Sequence, residues 1–244
     1  NIYTIYVPKD RDAENWFKFI NENLQYNGNH EVLLVDFNKV NFLETDDFVV
    51  LACLIEFFYT KGFKISFTGG TKQLNNHLDN IKFKHYWREG FDRSKFTSSS
   101  NESTLCLWKI SKDRIYAYSV FAKKYFEKFA YSKDLLPLAS NLDEVFNNIF
   151  DHSQSQITGY IITQYYHKIN KISFSVCDFG IGIPQSIRNY DKTIPLNIED
   201  YQLLLKSLQK GYSIKSTPQN RGFGLHNIQS FIENTNGMLS IVSN

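Results

Sequence analysis

Strand-like and helix-like segments alternate through the first hundred residues, and this alternation limits the possible folds more than any other feature. Residues 2–7, 31–36 and 63–67 have the composition of strands, and the second of these runs is apolar enough to be buried. The stretch after the first strand is amphipathic, with apolar residues at helical spacing: Trp16, Phe17, Ile20 and Leu24. Residues 46–60 are apolar almost all round, as in a covered helix. We therefore predict an α/β layered fold.

A run of small polar residues, 97–103, follows this pattern. Such residues cannot bury enough surface to fix themselves, so we interpret the run as a linker. A chain of 244 residues has room for two domains. We assign residues 1–100 to an N-terminal α/β domain and residues 101–244 to a second domain.

The second half is predicted to begin with two helices and a hairpin. Residues 113–131 and 135–152 have helical periodicity. Two strands, 160–166 and 171–177, follow with four residues between them, which favours an antiparallel hairpin.

The remainder of the chain is predicted to contain a lid and a last helix. Residues 184–221 hold a short helical piece, 198–208, and otherwise have the character of a mobile lid. A helix is expected from about Phe223 to Asn236-Gly237, followed by a strand over 238–242.

Composition restricts the partners and the compartment. A net charge of +2 is too small to imply a polyanionic partner, so nucleic acid is disfavoured. Residues 82–88 do interleave bases with aromatics as single-strand binders do, but we favour a surface segment before the linker. Cys53, Cys106 and Cys177 are odd in number and lie in apolar runs, which predicts buried free thiols in a reducing, cytoplasmic compartment. The apolar run 48–55 is too short to span a membrane.

One face of the predicted helix 135–152 carries polar residues that could do chemistry. Glu144, Asn148 and His152 are four residues apart and therefore share a face. The apolar stripe of the same helix holds Leu142, Val145 and Ile149. A carboxylate and a carboxamide one turn apart can hold a hydrated divalent cation and polarise a water molecule. The alternative is a solvated polar face.

The segment Asp178-Phe-Gly-Ile-Gly-Ile-Pro184 stands where a predicted strand ends. Asp178 could accept a hydrogen bond from an exocyclic amine such as that of adenine. Gly180 and Gly182 let the backbone turn with no Cβ in the way of a ligand. A plain turn with a capping aspartate is the alternative interpretation.

A second glycine pair, in Asn220-Arg221-Gly222-Phe-Gly224-Leu225, immediately precedes the last predicted helix. The exposed N–H groups and the positive dipole end at such a helix start favour a phosphate, and glycines let it come close. Lys215 and Arg221 could contact a γ-phosphate, although a solvated loop cation is an equal alternative.

Taken in this order, the three pieces resemble the ATP-binding domain of the GHKL or Bergerat-fold superfamily, which includes DNA gyrase B and the histidine kinases. The resemblance covers about residues 112–244. It implies ATP and Mg²⁺ as cofactors, with Glu144 as the catalytic base, Asn148 as the Mg²⁺ ligand and Asp178 as the adenine reader. It also implies further nucleotide-binding positions: Gly180, Gly182, Ile183, Arg221, Gly222, Phe223, Gly224 and Leu225.

The chain departs from the pattern of this superfamily in two places. Members normally continue with a strand that bears a Gly-Thr pair, whereas this chain stops at Asn244. We expect the domain to lack its last strands, and the alternative is a sheet that is completed differently. The lid has Ser216-Thr-Pro-Gln-Asn-Arg221 in place of a full glycine-rich run.

The N-terminal half is similar, more faintly, to the STAS domains of anti-sigma-factor antagonists, through residues 31–36, 42–47 and 62–67. In those domains a turn before a helix carries a serine that a GHKL kinase phosphorylates. Here only Thr45 could accept a phosphate, and Asp46 puts a fixed negative charge beside it. The expected fold is a STAS-like domain followed by a Bergerat two-layer α/β sandwich.

These resemblances imply an ATP-binding regulator that acts on a protein partner. It would hydrolyse ATP slowly or phosphorylate Ser/Thr of the partner, as in anti-sigma-type partner switching, and a homodimer is compatible with either activity. Histidine kinase activity is disfavoured because residues 113–131 contain no histidine. The alternative is a non-catalytic interaction module that a nucleotide only stabilises.

Overall fold

The computed structural model describes residues 1–10, 12–129, 134–195, 197–212 and 224–243. The chain divides into two compact units. The first comprises Asn1–Lys109 and Gly159–Asp178, and the second comprises Ile110–Thr158 and Phe179–Asn244. The domain boundary at residue 100 stays a prediction.

The first unit contains the predicted alternation of strands and helices. Its parallel sheet has three strands in the order β1 (Ile2–Tyr6), β2 (Val32–Asp36) and β3 (Lys64–Thr68). Helices α1 (Ala13–Leu24) and α2 (Thr45–Thr60) connect them, and α3 (Lys72–Asn80), which was not predicted, follows β3. The α/β class expected from the sequence is therefore confirmed.

Helix α2 is the centre of the first unit. Apolar residues surround it, and eleven of its side chains from Thr45 to Phe58 are buried. It packs against α1 and β3 and against two strands of a second sheet, β5 (Gly159–Tyr166) and β6 (Lys171–Asp178). A helix that is apolar all round needs such cover on every face, so the prediction of a covered helix is confirmed.

The second sheet of this unit is antiparallel. Its order is β4 (Thr104–Lys109), β5 (Gly159–Tyr166) and β6 (Lys171–Asp178), and Gly159 lies opposite Asp178 at the end of the hairpin. The hairpin is confirmed. Strand β4 was not predicted, because its buried residues follow directly on the run that we interpreted as a linker.

Residues 97–103 do not form the flexible linker that we predicted. The Ser99 N–H donates to the Thr104 carbonyl at 2.8 Å, and the Thr104 N–H donates to Ser99 Oγ at 3.0 Å. Ser99 Oγ in turn donates to Asn101 Oδ1 at 2.7 Å, and Ser99 is 2% exposed. Hydrogen bonding between short polar side chains and the backbone replaces apolar burial here, so the segment is an ordered turn into β4.

A buried carboxylate links α2 to its surroundings. Glu56 is 1% exposed, and four side chains donate to it. These donors are Tyr160 Oη at 2.6 Å, Lys109 Nζ at 2.7 Å, Trp87 Nε1 at 2.9 Å and Arg93 Nη1 at 3.2 Å. Burial acts to raise the pKa of Glu56, but the hydrogen bonds and the two cations outweigh burial and lower it. We call these five residues the Glu56 network.

The second unit is built from helices. They are α4 (Ile115–Glu127), α5 (Leu136–Asn148), α6 (Ile183–Tyr190), α7 (Asp200–Ser207) and α8 (Gly224–Asn234). All except α6 were predicted. Helix α6 lies in the stretch that we assigned to a mobile lid, so that assignment is wrong for this part, and residues 213–221 of the lid lie outside the described residues.

Two further expectations concern the last residues and the membrane. Residues 238–242, which we predicted as a strand, are not in a strand. In the part of the chain that the structure describes, no helix has both the length and the apolar character needed to cross a membrane.

The Glu56 network predicts a large stability effect. Glu56→Ala leaves two cations, a phenol and an indole without their buried acceptor, so we expect the free energy of unfolding to fall by about 3–5 kcal/mol. Urea unfolding followed by tryptophan fluorescence measures this loss. Because the pKa of Glu56 is lowered in the folded state, the contribution is present at neutral pH and is lost as the pH falls through that folded-state pKa.

The control is Glu22→Ala, which removes an exposed carboxylate 3.9 Å from Lys18. It should change the free energy of unfolding by less than about 0.5 kcal/mol. Equal effects of the two substitutions would contradict a structural role for Glu56.

Candidate functional site

Helix α5 has a buried apolar face and a half-buried polar face. The residues of the apolar face are not all the ones that we predicted. Leu142 and Ile149 are buried as expected, but Val145 is only half-buried and Phe146 is completely buried instead. The helix packs against α4 and α8. Glu144 and Asn148 are half-buried, so their face is neither core nor fully solvated.

The third polar residue predicted for that face, His152, lies beyond the end of α5. Helix α5 ends at Asn148, and a wider π-helical turn spans Ile149–Ser153. Such a turn changes the angle per residue, so the spacing that predicted His152 beside Glu144 does not apply. Burial lowers the pKa of His152.

The turn after β6 is fixed by hydrogen bonds to distant parts of the second unit. We call residues 179–182 the glycine turn. The Ile181 N–H donates at 2.7 Å to the carbonyl of Ser153, the last residue of the π-helical turn, and the Ile183 N–H donates to Ser243 Oγ at 2.8 Å. No side-chain pattern marks Ser153 as a partner, because it contributes only its backbone carbonyl.

Gly182 has a backbone conformation that only glycine adopts readily. Its φ of 76° and ψ of 161° lie in a region that a Cβ atom disfavours by about 1–3 kcal/mol. Gly182 is also the residue that precedes α6, in which Pro184 occupies the first turn. The sequence Gly-Ile-Pro therefore turns the chain out of β6 and starts a helix at once.

Gly224, the first residue of α8, lies against Glu144. A Cβ atom built on Gly224 would be 2.5 Å from Glu144 Cδ and 2.7 Å from Glu144 Cγ, closer than two unbonded carbon atoms approach. Helices α5 and α8 pack along this contact, and Ile228 is the buried residue of α8. The glycine that we predicted at a helix start is therefore the one that lets this start reach the acidic side chain.

Some of the predicted site residues lie close to one another, and others do not or fall outside the described residues. In the second unit, Glu144 of α5 lies against Gly224, and Asn148 is the last residue of that helix. The glycine turn hydrogen-bonds to Ser153, five residues beyond the end of α5. Leu225 is half-buried in the first turn of α8. Lys215, Arg221, Gly222 and Phe223 lie outside the described residues. Asp178 is the last residue of β6 in the first unit, and the glycine turn follows it in the chain.

The residues fit Mg²⁺ only as a partner of a phosphate ligand. In the described ranges no group of three or more His, Cys, Asp and Glu side chains could hold a metal ion. Glu144 and Asn148 offer two oxygen-bearing side chains one turn apart. Mg²⁺ commonly takes one or two protein ligands and completes its shell with waters and phosphate oxygens, so these residues are compatible with that role.

Two other candidate sites from the sequence, Thr45 and the aromatic side chains of residues 82–88, are buried. Thr45, the one candidate phosphate acceptor in residues 42–47, is 4% exposed, and its hydroxyl accepts a hydrogen bond from Ser175 Oγ at 2.6 Å. Glu44 and Asp47 form a capping box for α2. This acidic turn therefore has a structural role at the helix start, and Thr45 is not accessible to a kinase.

The aromatic residues of 82–88 are buried rather than exposed. Phe83, Tyr86 and Trp87 are 0%, 3% and 5% exposed. They cannot stack on nucleic-acid bases, and the segment is not a simple surface connection either. Both interpretations of this segment are wrong, because the aromatic side chains belong to the core of the first unit.

Comparison with known proteins assigns no family to the chain. No family model, no curated protein and no solved structure matches it at a significant level.

The contact between Gly224 and Glu144 predicts a coupled pair of substitutions. In Gly224→Ala the added methyl group displaces the Glu144 side chain, so we expect the free energy of unfolding to change by less than about 1 kcal/mol, because the helix propensity of alanine offsets this displacement. In a Glu144→Ala background the same change should raise the free energy of unfolding by about 0.5–1 kcal/mol, because only the gain in helix propensity remains. Urea unfolding of the four proteins in this cycle measures the coupling. An identical change in both backgrounds would show that the two residues do not meet.

Proposed function

We propose that this chain binds ATP together with Mg²⁺ and uses it to regulate a protein partner, in the manner of GHKL proteins. The observation that carries the proposal is that Gly224, the first residue of α8, lies against the Glu144 side chain of α5. Two segments that the sequence predicted to serve one nucleotide, far apart in the chain, are neighbours in the second unit. The glycine turn, tied to Ser153 just beyond α5, adds a third segment to the same group.

The phosphates would bind at the start of α8. Backbone N–H groups and the positive dipole end of a helix attract anions, and glycines at 222 and 224 would let phosphate oxygens approach the backbone. Asn148 would contribute its amide oxygen to a Mg²⁺ ion that the phosphates also hold. Arg221 would add a positive charge beside the γ-phosphate.

Glu144 would act as the base that orients the attacking group. Its carboxylate is half-buried on α5 beside the first residue of α8, so it would lie near phosphates bound at that helix start. There it could accept a proton from water, giving hydrolysis, or from a Ser/Thr hydroxyl of a partner, giving phosphorylation. The acceptor would belong to a partner, because Thr45 of this chain is buried.

Asp178 would recognise the adenine ring. It ends β6, where the backbone leaves the sheet for the glycine turn, and it is half-buried. A carboxylate only accepts hydrogen bonds, which suits the exocyclic amine of adenine and does not suit the carbonyl of guanine at the same ring position. Gly180, Gly182 and Ile183, which follow Asp178 in the chain, would line the nucleotide-binding site.

Glu144→Gln tests the catalytic role without disturbing the packing, because glutamine has the shape of glutamate. We expect ATP affinity, measured by isothermal titration with ATP and Mg²⁺, to change by less than about threefold. We expect ADP or phosphoprotein formation from radiolabelled ATP to fall by about a hundredfold or more. Glu233→Gln, an exposed change on α8, is the control and should leave both quantities unchanged.

Unchanged product formation in Glu144→Gln would remove Glu144 from the mechanism. If the unsubstituted protein binds ATP but forms no product, the non-catalytic module is the correct function. If it binds no adenine nucleotide, the proposal is wrong.

Asp178→Asn tests whether Asp178 recognises the adenine ring. Asparagine offers an amide donor to the guanine carbonyl, so we expect the preference for ATP over GTP to fall about tenfold in competition titrations, the size of one lost charge-assisted hydrogen bond. Asp113→Asn, at an exposed position before α4, should keep the preference. Retention of the preference in Asp178→Asn would count against its assignment.

A further inference from the structure

Two cysteines that are far apart in the sequence meet in the first unit. Cys53 lies in the middle of α2, and Cys177 is the penultimate residue of β6. The Cys53 thiol donates a hydrogen bond to the Cys177 carbonyl at 3.2 Å, so the two residues are in direct contact. We call Cys53 and Cys177 the thiol pair.

The surroundings of the two sulfur atoms differ. Cys53 is 0% exposed, whereas Cys177 is partly exposed. Burial is the main cause that raises the pKa of the Cys53 thiol, and Cys177 and the charge of Asp178 raise it further. A small oxidant from solvent would therefore reach Cys177 first, with Cys53 held beside it as a protonated neighbour.

The thiol pair lies next to the residue that we propose for adenine recognition. Cys177 directly precedes Asp178, and its thiol approaches the Asp178 carbonyl at 3.6 Å. Small side chains at Ser175 and Cys177 occupy the face of β6 that meets α2, which lets the helix lie close to the strand. A covalent bond between α2 and Cys177 would therefore act on the backbone one residue before Asp178.

We propose that the thiol pair is an oxidation site that a peroxide converts to a disulfide, and that this disulfide weakens nucleotide binding through Asp178. The second half of this inference rests on the proposed function, and the first half does not. In a reducing compartment the pair stays open, and the nucleotide site is competent.

The chemistry takes two steps. The sulfur of Cys177 attacks one peroxide oxygen, the O–O bond breaks, and the leaving hydroxide takes the Cys177 thiol proton to become water. Cys177 is then a sulfenic acid. The sulfur of Cys53 attacks the Cys177 sulfur, the S–O bond breaks, and hydroxide leaves with the Cys53 thiol proton as a second water. In total, two thiols lose two electrons and two protons to hydrogen peroxide, and a thiol reductant reverses the change.

The disulfide would alter the geometry at the end of β6. The Cys53 side chain would give up its hydrogen bond to the Cys177 carbonyl, and the new bond would fix the Cys177 side chain towards α2. A hydrogen bond weakens steeply with changes in distance and angle, so a small displacement of Asp178 is enough to impair its contact with adenine.

The experiment uses the full chain treated with hydrogen peroxide and then with a dithiol. Alkylation under denaturing conditions should count three free thiols before oxidation and one afterwards, and peptide mapping should find Cys53 joined to Cys177. Isothermal titration with ATP and Mg²⁺ should show an affinity about tenfold weaker after oxidation, comparable to one lost charge-assisted hydrogen bond and restored by the dithiol.

Cys106→Ser is the control, because Cys106 lies on β4 outside the thiol pair. It should leave the cross-link and the change in affinity intact, whereas Cys177→Ser should abolish both. The comparison of oxidised and reduced unsubstituted protein needs no substitution and does not depend on how the variants fold.

Each outcome decides one part of the inference. Three alkylated thiols after oxidation, or Cys177 recovered as a sulfinic acid without a cross-link, would overturn the oxidation site. A cross-link with unchanged ATP affinity would overturn its effect on Asp178. Absence of ATP binding by the reduced protein would refute the proposed function, and thiol counting would still decide whether the pair forms a disulfide.

Discussion

A buried charge holds the first unit together. The Glu56 carboxylate lies inside α2, where isolated burial would cost far more than a domain can tolerate. Four donors satisfy it, and they come from different parts of the chain: Trp87 and Arg93 after α3, Lys109 at the end of β4 and Tyr160 at the start of β5. Helix α2 and the antiparallel sheet can therefore assemble in one register only, since any slip would leave a buried ion without partners.

This arrangement explains why β6 has the sequence it has. The same helix that carries Glu56 meets β6 through Thr45 and Cys53, which contact Ser175 and Cys177 two residues apart. Residues two apart in a strand point to one face, so small side chains on this face let α2 approach. The position of Asp178, one residue further along, thus depends on how α2 is held.

The sequence predicted those parts of the structure that follow from local periodicity and missed those that follow from distant contacts. The covered helix α2, the hairpin and the helix starting at Gly224 all follow from apolar spacing or glycine placement. The turn at residues 97–103 was misread because its stability comes from hydrogen bonds between short polar side chains and the backbone, which composition alone does not show. The π-helical turn after Asn148 was missed because no residue preference marks where a helix widens.

The candidate site also contains a contact that the sequence alone could not predict. Motif order could predict that Glu144 and Gly224 serve one ligand, but only the fold shows that the Glu144 side chain lies where a Cβ atom at 224 would stand. A glycine needed for packing and a glycine needed for phosphate approach are identical in sequence. At this position the absence of a Cβ lets the start of α8 lie against the acidic side chain, which itself occupies the space that a Cβ would take. Nucleotide-binding measurements on variants of Glu144 and Gly224 therefore have to be interpreted together with the free energies of unfolding of those variants.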